Sequence, residues 1–166
     1  YTSRLDMFGG KLTGGKVTSG GGGGAIALDD QQCIFNMYGG EISGNNGNNY
    51  GGAIFRKFNA NMPNTTGGTF NMYGGTISDN GTTARGGGVY NAGVCSLYGG
   101  LITNNGSGGG VYNNGTLTVG GTATVTGGSP NVYLAAGKTI KLNSALDESA
   151  RIGITAEKQG SLADTA

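Results

Sequence analysis

The chain has 166 residues, enough for one domain with its own core, but a net charge of only +1 and 11% charged residues. That balance removes the electrostatic basis for binding nucleic acid or an anionic membrane surface, and no apolar run approaches the roughly 20 residues of a membrane span. Glycine contributes 38 residues without a collagen period, yet 36% of the chain is hydrophobic and recurs at ordered places, which favours a repetitive β architecture over a disordered linker.

The first element is the phrase Leu5-Asp6-Met7-Phe8-Gly9-Gly10. It returns as Phe35-Asn36-Met37-Tyr38-Gly39-Gly40, Phe70-Asn71-Met72-Tyr73-Gly74-Gly75 and Cys95-Ser96-Leu97-Tyr98-Gly99-Gly100. Leu117-Thr118-Val119-Gly120-Gly121 lacks the aromatic, and Ile140-Lys141-Leu142 lacks the glycines as well. Successive glycine pairs lie 30, 35, 25 and 21 residues apart. After each pair comes a second short strand: Lys11-Leu12-Thr13, Glu41-Ile42-Ser43, Thr76-Ile77-Ser78, Leu101-Ile102-Thr103 and Thr122-Ala123-Thr124. An Asn-Gly turn follows, with Asn45, Asn80 and Asn105 in step. A third strand reads Gly24-Ala25-Ile26, Gly52-Ala53-Ile54, Gly88-Val89-Tyr90, Gly110-Val111-Tyr112 and Asn131-Val132-Tyr133.

Three short strands and three bends per repeat describe one turn of a three-sided coil. Strands this short are unstable alone but stable when stacked about 4.8 Å from identical neighbours. The expectation is an all-β, right-handed parallel β-helix of about six coils, occupying residues 1–166 as a single segment. Period-2 alternation sends four columns inward. The first is Leu5, Phe35, Phe70, Cys95 and Leu117, and the second is Met7, Met37, Met72, Leu97 and Val119. The third is Leu12, Ile42, Ile77, Ile102 and Ala123, and the fourth is Ala25, Ala53, Val89, Val111 and Val132. Asp6, Asn36, Asn71, Ser96 and Thr118 point outward. Two insertions interrupt the rhythm, at 13–22 and 55–68, the second carrying Arg56, Lys57 and Phe58. The tail around Ile140 and Ile152 reads as a last coil, with residues 144–150 as a helical turn or a loop.

The phrases Met37-Tyr38-Gly39-Gly40-Glu41-Ile42-Ser43-Gly44-Asn45 and Gly87-Gly88-Val89-Tyr90-Asn91 resemble repeat regions of adhesin-like surface proteins from gut-type anaerobic Gram-positive bacteria. The tetrapeptide Gly-Gly-Ala-Ile at 23–26 and 51–54 is more distantly similar to the repeats of chlamydial polymorphic outer-membrane proteins. The resemblance implies a β-helix in an extracellular, secreted or cell-surface setting, and implies nothing firm about ligand, because β-helices host many activities. A start at Tyr1 rather than Met reads as a piece of a longer protein. The alternative is end-to-end self-association through open coil ends into a filament, since exposed sheet edges invite pairing.

The same fold carries pectinases and polysaccharide lyases, so a carbohydrate-active fragment is the second expectation. Such enzymes need converging carboxylates. Here nine carboxylates are scattered, and residues 86–137 contain no charged side chain. With no His and no Cys-x-x-Cys, no metal, cofactor or nucleophile–base set is expected. Cys33 and Cys95 fall two coils apart, near 10 Å, and read as free thiols. The remaining surface chemistry is aromatic. Tyr38, Tyr73 and Tyr98 form one outward column with Phe8, and Tyr90, Tyr112 and Tyr133 form another. These columns, with Arg56, Lys57 and Phe58, are the candidate binding residues, through which a passive scaffold would meet host or cell-surface glycans or protein.

Overall fold

A computed structural model describes residues 2–19, 21–56 and 67–157, with Arg56 by its backbone alone. The described chain contains eighteen strands and no helix, three strands to a coil. The first coil is β1 (Ser3–Met7), β2 (Lys11–Thr13) and β3 (Ile26–Leu28); the second is β4 (Cys33–Met37), β5 (Glu41–Ser43) and β6 (Ile54–Arg56). The third is β7 (Thr69–Met72), β8 (Thr76–Ser78) and β9 (Val89–Asn91); the fourth is β10 (Val94–Leu97), β11 (Leu101–Thr103) and β12 (Val111–Asn113). The fifth is β13 (Thr116–Gly121), β14 (Thr124–Val125) and β15 (Val132–Leu134); the sixth is β16 (Ile140–Leu146), β17 (Arg151–Ile152) and β18 (Ile154–Ala156). Equivalent strands pair in parallel into three six-stranded sheets, which makes the molecule a parallel β-helix of six coils. Residues 144–146 continue β16 rather than starting a helical turn.

Register fixes the coil lengths. Ser3 pairs with Cys33, Ile34 with Thr69, Thr69 with Val94, Val94 with Thr116 and Leu117 with Ile140, giving steps of 30, 35, 25, 22 and 23 residues. Two of the four inward columns are as the alternation predicts: Leu5-Phe35-Phe70-Cys95-Leu117 and Met7-Met37-Met72-Leu97-Val119, continued by Ile140 and Leu142. Phe35 and Phe70 are wholly buried and stack at 5.3 Å.

The other two columns differ from expectation. The fourth is Ile26-Ile54-Val89-Val111-Val132-Ile154. Ala25 and Ala53 sit one position earlier, at the corner. There Ala53 lies against Gly88, whose carbonyl accepts both the Ala53 amide at 3.1 Å and the Ile54 amide at 2.9 Å. In the fifth coil the third column takes Val125, not Ala123, because Thr124 and Val125 pair with Leu101 and Ile102, and it continues to Ile152 in the sixth. One extra residue between Val119 and Thr124 bulges the corner, and Ala123 fills that corner while still buried.

The Met-x-Gly-Gly phrase has a packing cause. The second glycine of each pair adopts positive φ (Gly40 90°, Gly75 87°, Gly100 85°). A Cβ there would lie 2.6 Å from the Cε of the methionine one coil earlier, namely Met7, Met37 or Met72. Met fills the space Gly leaves. In the fourth coil Leu97 replaces that methionine, and the fifth coil is where the glycine pair moves by one position.

The first insertion is smaller than it reads. Lys16 bridges Asn46 and Gly22 bridges Tyr50, so the 13–22 segment exceeds the next coil by two residues. Phe55 and Arg56, expected in the second loop, lie in β6 opposite Ala27 and Leu28; Lys57 and Phe58 lie outside the described residues.

Candidate functional site

The coil stack converts sequence repeats into columns of like chemistry, and three polar columns are hydrogen-bonded along the axis. In the second corner, Asn45 Nδ2 donates to Asn80 Oδ1 (2.9 Å) and Asn80 Nδ2 to Asn105 Oδ1 (3.0 Å), with all three residues at most 2% exposed. The same amides donate to the Leu12, Ser43, Ile42, Ser78 and Ile77 carbonyls, and their oxygens accept the backbone amides of Gly15, Asn45 and Asn80. On the first sheet, Asn71 donates to Asn36 (2.9 Å) and Asn36 to Asp6 (2.7 Å). At the third corner, Asn91 donates to Asn113 (2.6 Å). Asn36 and Ser96 face outward as expected yet are buried.

The aromatic columns form as expected. Phe8, Tyr38, Tyr73 and Tyr98 stack at centroid distances of 4.9, 5.0 and 5.4 Å. Tyr90, Tyr112 and Tyr133 stack at 5.3 and 5.1 Å, and Phe55 extends that column at 5.5 Å from Tyr90. The geometry sets what such columns offer. The inner rings, Tyr38 and Tyr73, each have a neighbouring ring on both sides, so their faces are not open to a sugar in the way a lone tyrosine's would be. With both faces stacked, they show solvent their edges and hydroxyls, the residues being 40% and 45% exposed. The first column stops after Tyr98, where Gly120 stands in the aromatic position.

Beside the second column lies a hollow of about 250 Å³ spanning three coils, its walls including Arg85, Ser107, Tyr112, Pro130 and Tyr133. Arg85 is fixed by its backbone, which bridges Tyr50 and receives the Gly51 amide at 3.1 Å. Its guanidinium donates to the Tyr112 hydroxyl at 2.9 Å and lies 4.8 Å from the Tyr112 ring centre. Ser107 Oγ donates to the Thr82 carbonyl at 3.1 Å, which leaves its oxygen free to accept. Burial pushes the Tyr112 phenol up and the nearby Arg85 charge pulls it partly back; Tyr90 is raised as well, again chiefly by burial. Both therefore stay neutral hydroxyls near neutral pH. Arg85 was not among the residues expected to bind, although the sequence carried a signal: it is the one charged residue between Asp79 and Lys138.

The carboxylates settle elsewhere. Asp6 pairs with Arg4 and Glu41 with Lys11, both at 2.8 Å, and Asp147 accepts from Ser149. Among the described residues, no three of His, Cys, Asp or Glu converge as a metal site, and Cys33 and Cys95 are not joined in a disulfide. Arg56 pairs through its backbone with Leu28. No known protein family, curated protein or solved structure matches the chain.

Proposed function

We propose that this chain is an extracellular scaffold module of a bacterial surface protein, a stiff coil stack whose outward columns present a recognition surface to glycans or to protein. The observation that carries this reading is the buried Asn45-Asn80-Asn105 ladder, which ties three coils along the axis while the outer faces hold unbroken aromatic columns. Such a ladder resists sliding between coils, since any shift leaves buried amides unpaired. The likeness of the Met-Tyr-Gly-Gly and Gly-Gly-Val-Tyr phrases to adhesin-like repeats supports the same setting.

A glycan and protein array probed with the chain, and with a variant carrying Tyr38→Ala, Tyr73→Ala and Tyr98→Ala, tests it. The reading expects array signal from the native chain and its loss from the variant at unchanged β-sheet circular dichroism. No signal from the native chain reduces the module to a passive spacer. Release of unsaturated or reducing sugars from uronic-acid polymers overturns the reading in favour of an enzyme.

A further inference from the structure

We infer that the hollow beside Arg85 is a binding site for a single acidic sugar residue, its carboxylate on the Arg85 guanidinium and its ring against Tyr133 and Pro130. This rests on the reading of the stack as a recognition surface and names one site on it that the column pattern alone does not.

Three observations converge. Charge comes first. Arg85 has five N–H donors, of which one is spent on Tyr112, so a planar fork remains for a carboxylate. Among the described residues no carboxylate forms an ion pair with it, since the ion pairs there join Arg4 to Asp6 and Lys11 to Glu41. The hollow's walls contain no acidic side chain. Glu157 acts on Tyr112 from outside those walls, and its carboxylate accepts the Ala136 amide at 3.0 Å.

Shape and polarity follow. About 250 Å³ falls just under the roughly 300 Å³ at which pockets for drug-sized ligands begin, which is room for one pyranose within the walls. The hollow's lining mixes apolar groups (Pro130 and the Tyr133 ring) with polar ones (Arg85, Ser107 and Tyr112), the mixture that a sugar's C–H patch and hydroxyls call for. Tyr133 is stacked on Tyr112 through its fourth-coil face and has Thr155 in the sixth-coil position beyond the other, so what it offers the hollow is its ring edge beside Pro130.

The site is also built rather than incidental. Gly108, another residue of its wall, admits no side chain, because a Cβ there would lie 2.3 Å from Thr82 Cγ2 and 2.8 Å from the Gly87 amide nitrogen. Arg85 is carried by a backbone bonded to the coil beneath it, through Asn49 and Gly51. Three successive coils therefore contribute the walls, and the backbone that carries Arg85 is bonded to its neighbours.

The test is a solution NMR titration of the chain with methyl β-D-glucuronide, methyl β-D-glucoside and N-acetylglycine in turn. The glucuronide is expected to shift the Arg85 side-chain N–H and the Tyr112 and Tyr133 ring signals with saturation. The other two ligands should bind at least tenfold more weakly, the glucoside for want of the carboxylate and N-acetylglycine for want of the ring. Arg85→Gln is expected to weaken the glucuronide about tenfold or more, and Tyr133→Ala about fivefold. Arg85 is exposed and its side chain holds no buried group but Tyr112, so amide spectra of Arg85→Gln serve as the check that the stack is intact. Equal binding of the glucoside, or of N-acetylglycine, overturns the acidic-sugar assignment. So does glucuronide binding that leaves Arg85 unshifted or survives Arg85→Gln. Array signal that depends on Tyr38, Tyr73 and Tyr98 alongside a silent Arg85 sinks this site and leaves the scaffold reading standing.

Discussion

Asn80 shows how one side chain serves two ends. Its Nδ2 donates to the Ile42 and Ser78 carbonyls and to Asn105, and its Oδ1 accepts the Asn45 amide nitrogen and side chain. Asn80→Ala strands several of these buried groups at about 1–3 kcal/mol each, so a loss of about 3 kcal/mol in urea unfolding is expected. Asn80→Asp keeps the shape but sets an acceptor against three oxygens, and at neutral pH it should cost more than Ala. An Asp variant as stable as the native chain would remove the ladder as the axial brace. The three in-step asparagines were visible in the sequence, because turn residues recur with the repeat. Their burial was not, since nothing in a turn signature tells a solvated amide from a saturated one. The alanines misled for a related reason. Gly-Ala-Ile and Gly-Val-Tyr align when anchored on glycine, yet the anchor is the buried Ile or Val: Ile54 pairs with Val89, and Phe55 with Tyr90. That one-position shift brings Phe55 into the Tyr90 column.

Among the strands, β1 and β2 form one outer edge of the stack, and ion pairs dress that edge. The Lys11 ammonium, and secondarily the Ser43 hydroxyl, hold Glu41 below the usual carboxylate range; Arg4 first, then Asn36, does the same for Asp6. A depressed folded value means the carboxylates favour the fold above their unfolded values near about pH 4, and that this contribution disappears as pH falls through the lower folded values. Acid should therefore loosen the first two coils. In a carbon-detected pH titration, Lys11→Gln should move the Glu41 midpoint upward toward the ordinary value; an unmoved midpoint contradicts the pairing of β2 with β5. The bulge in β13 and β14 is the element the repeat pattern hid. Thr122-Ala123-Thr124 mimics the phrase Leu101-Ile102-Thr103, and only the pairing of Val125 with Ile102 exposes the extra residue.

For the molecule as a whole, six coils spaced about 4.8 Å apart make a rod about 24 Å along its axis, held by neighbour contacts alone. Its inward columns surface where coils run out: Leu5 is 48% exposed at one end, and Leu142 and Ile154 are 69% and 54% exposed at the other. Along the flanks of such a rod, a repeat in sequence becomes a row in space. The row of tyrosines was legible from the sequence; the hollow at Arg85 was not, because it is assembled from three coils whose corner segments differ in length. Everything said of the flanks depends on one register. The most direct test is methyl-labelled NOE spectroscopy of the sheet-three column. The account predicts an unbroken chain of contacts from Ile26 through Ile54, Val89, Val111 and Val132 to Ile154. Contacts that instead link Ala25 and Ala53 with Val89 as one column, or a chain broken between Ile54 and Val89, would contradict it.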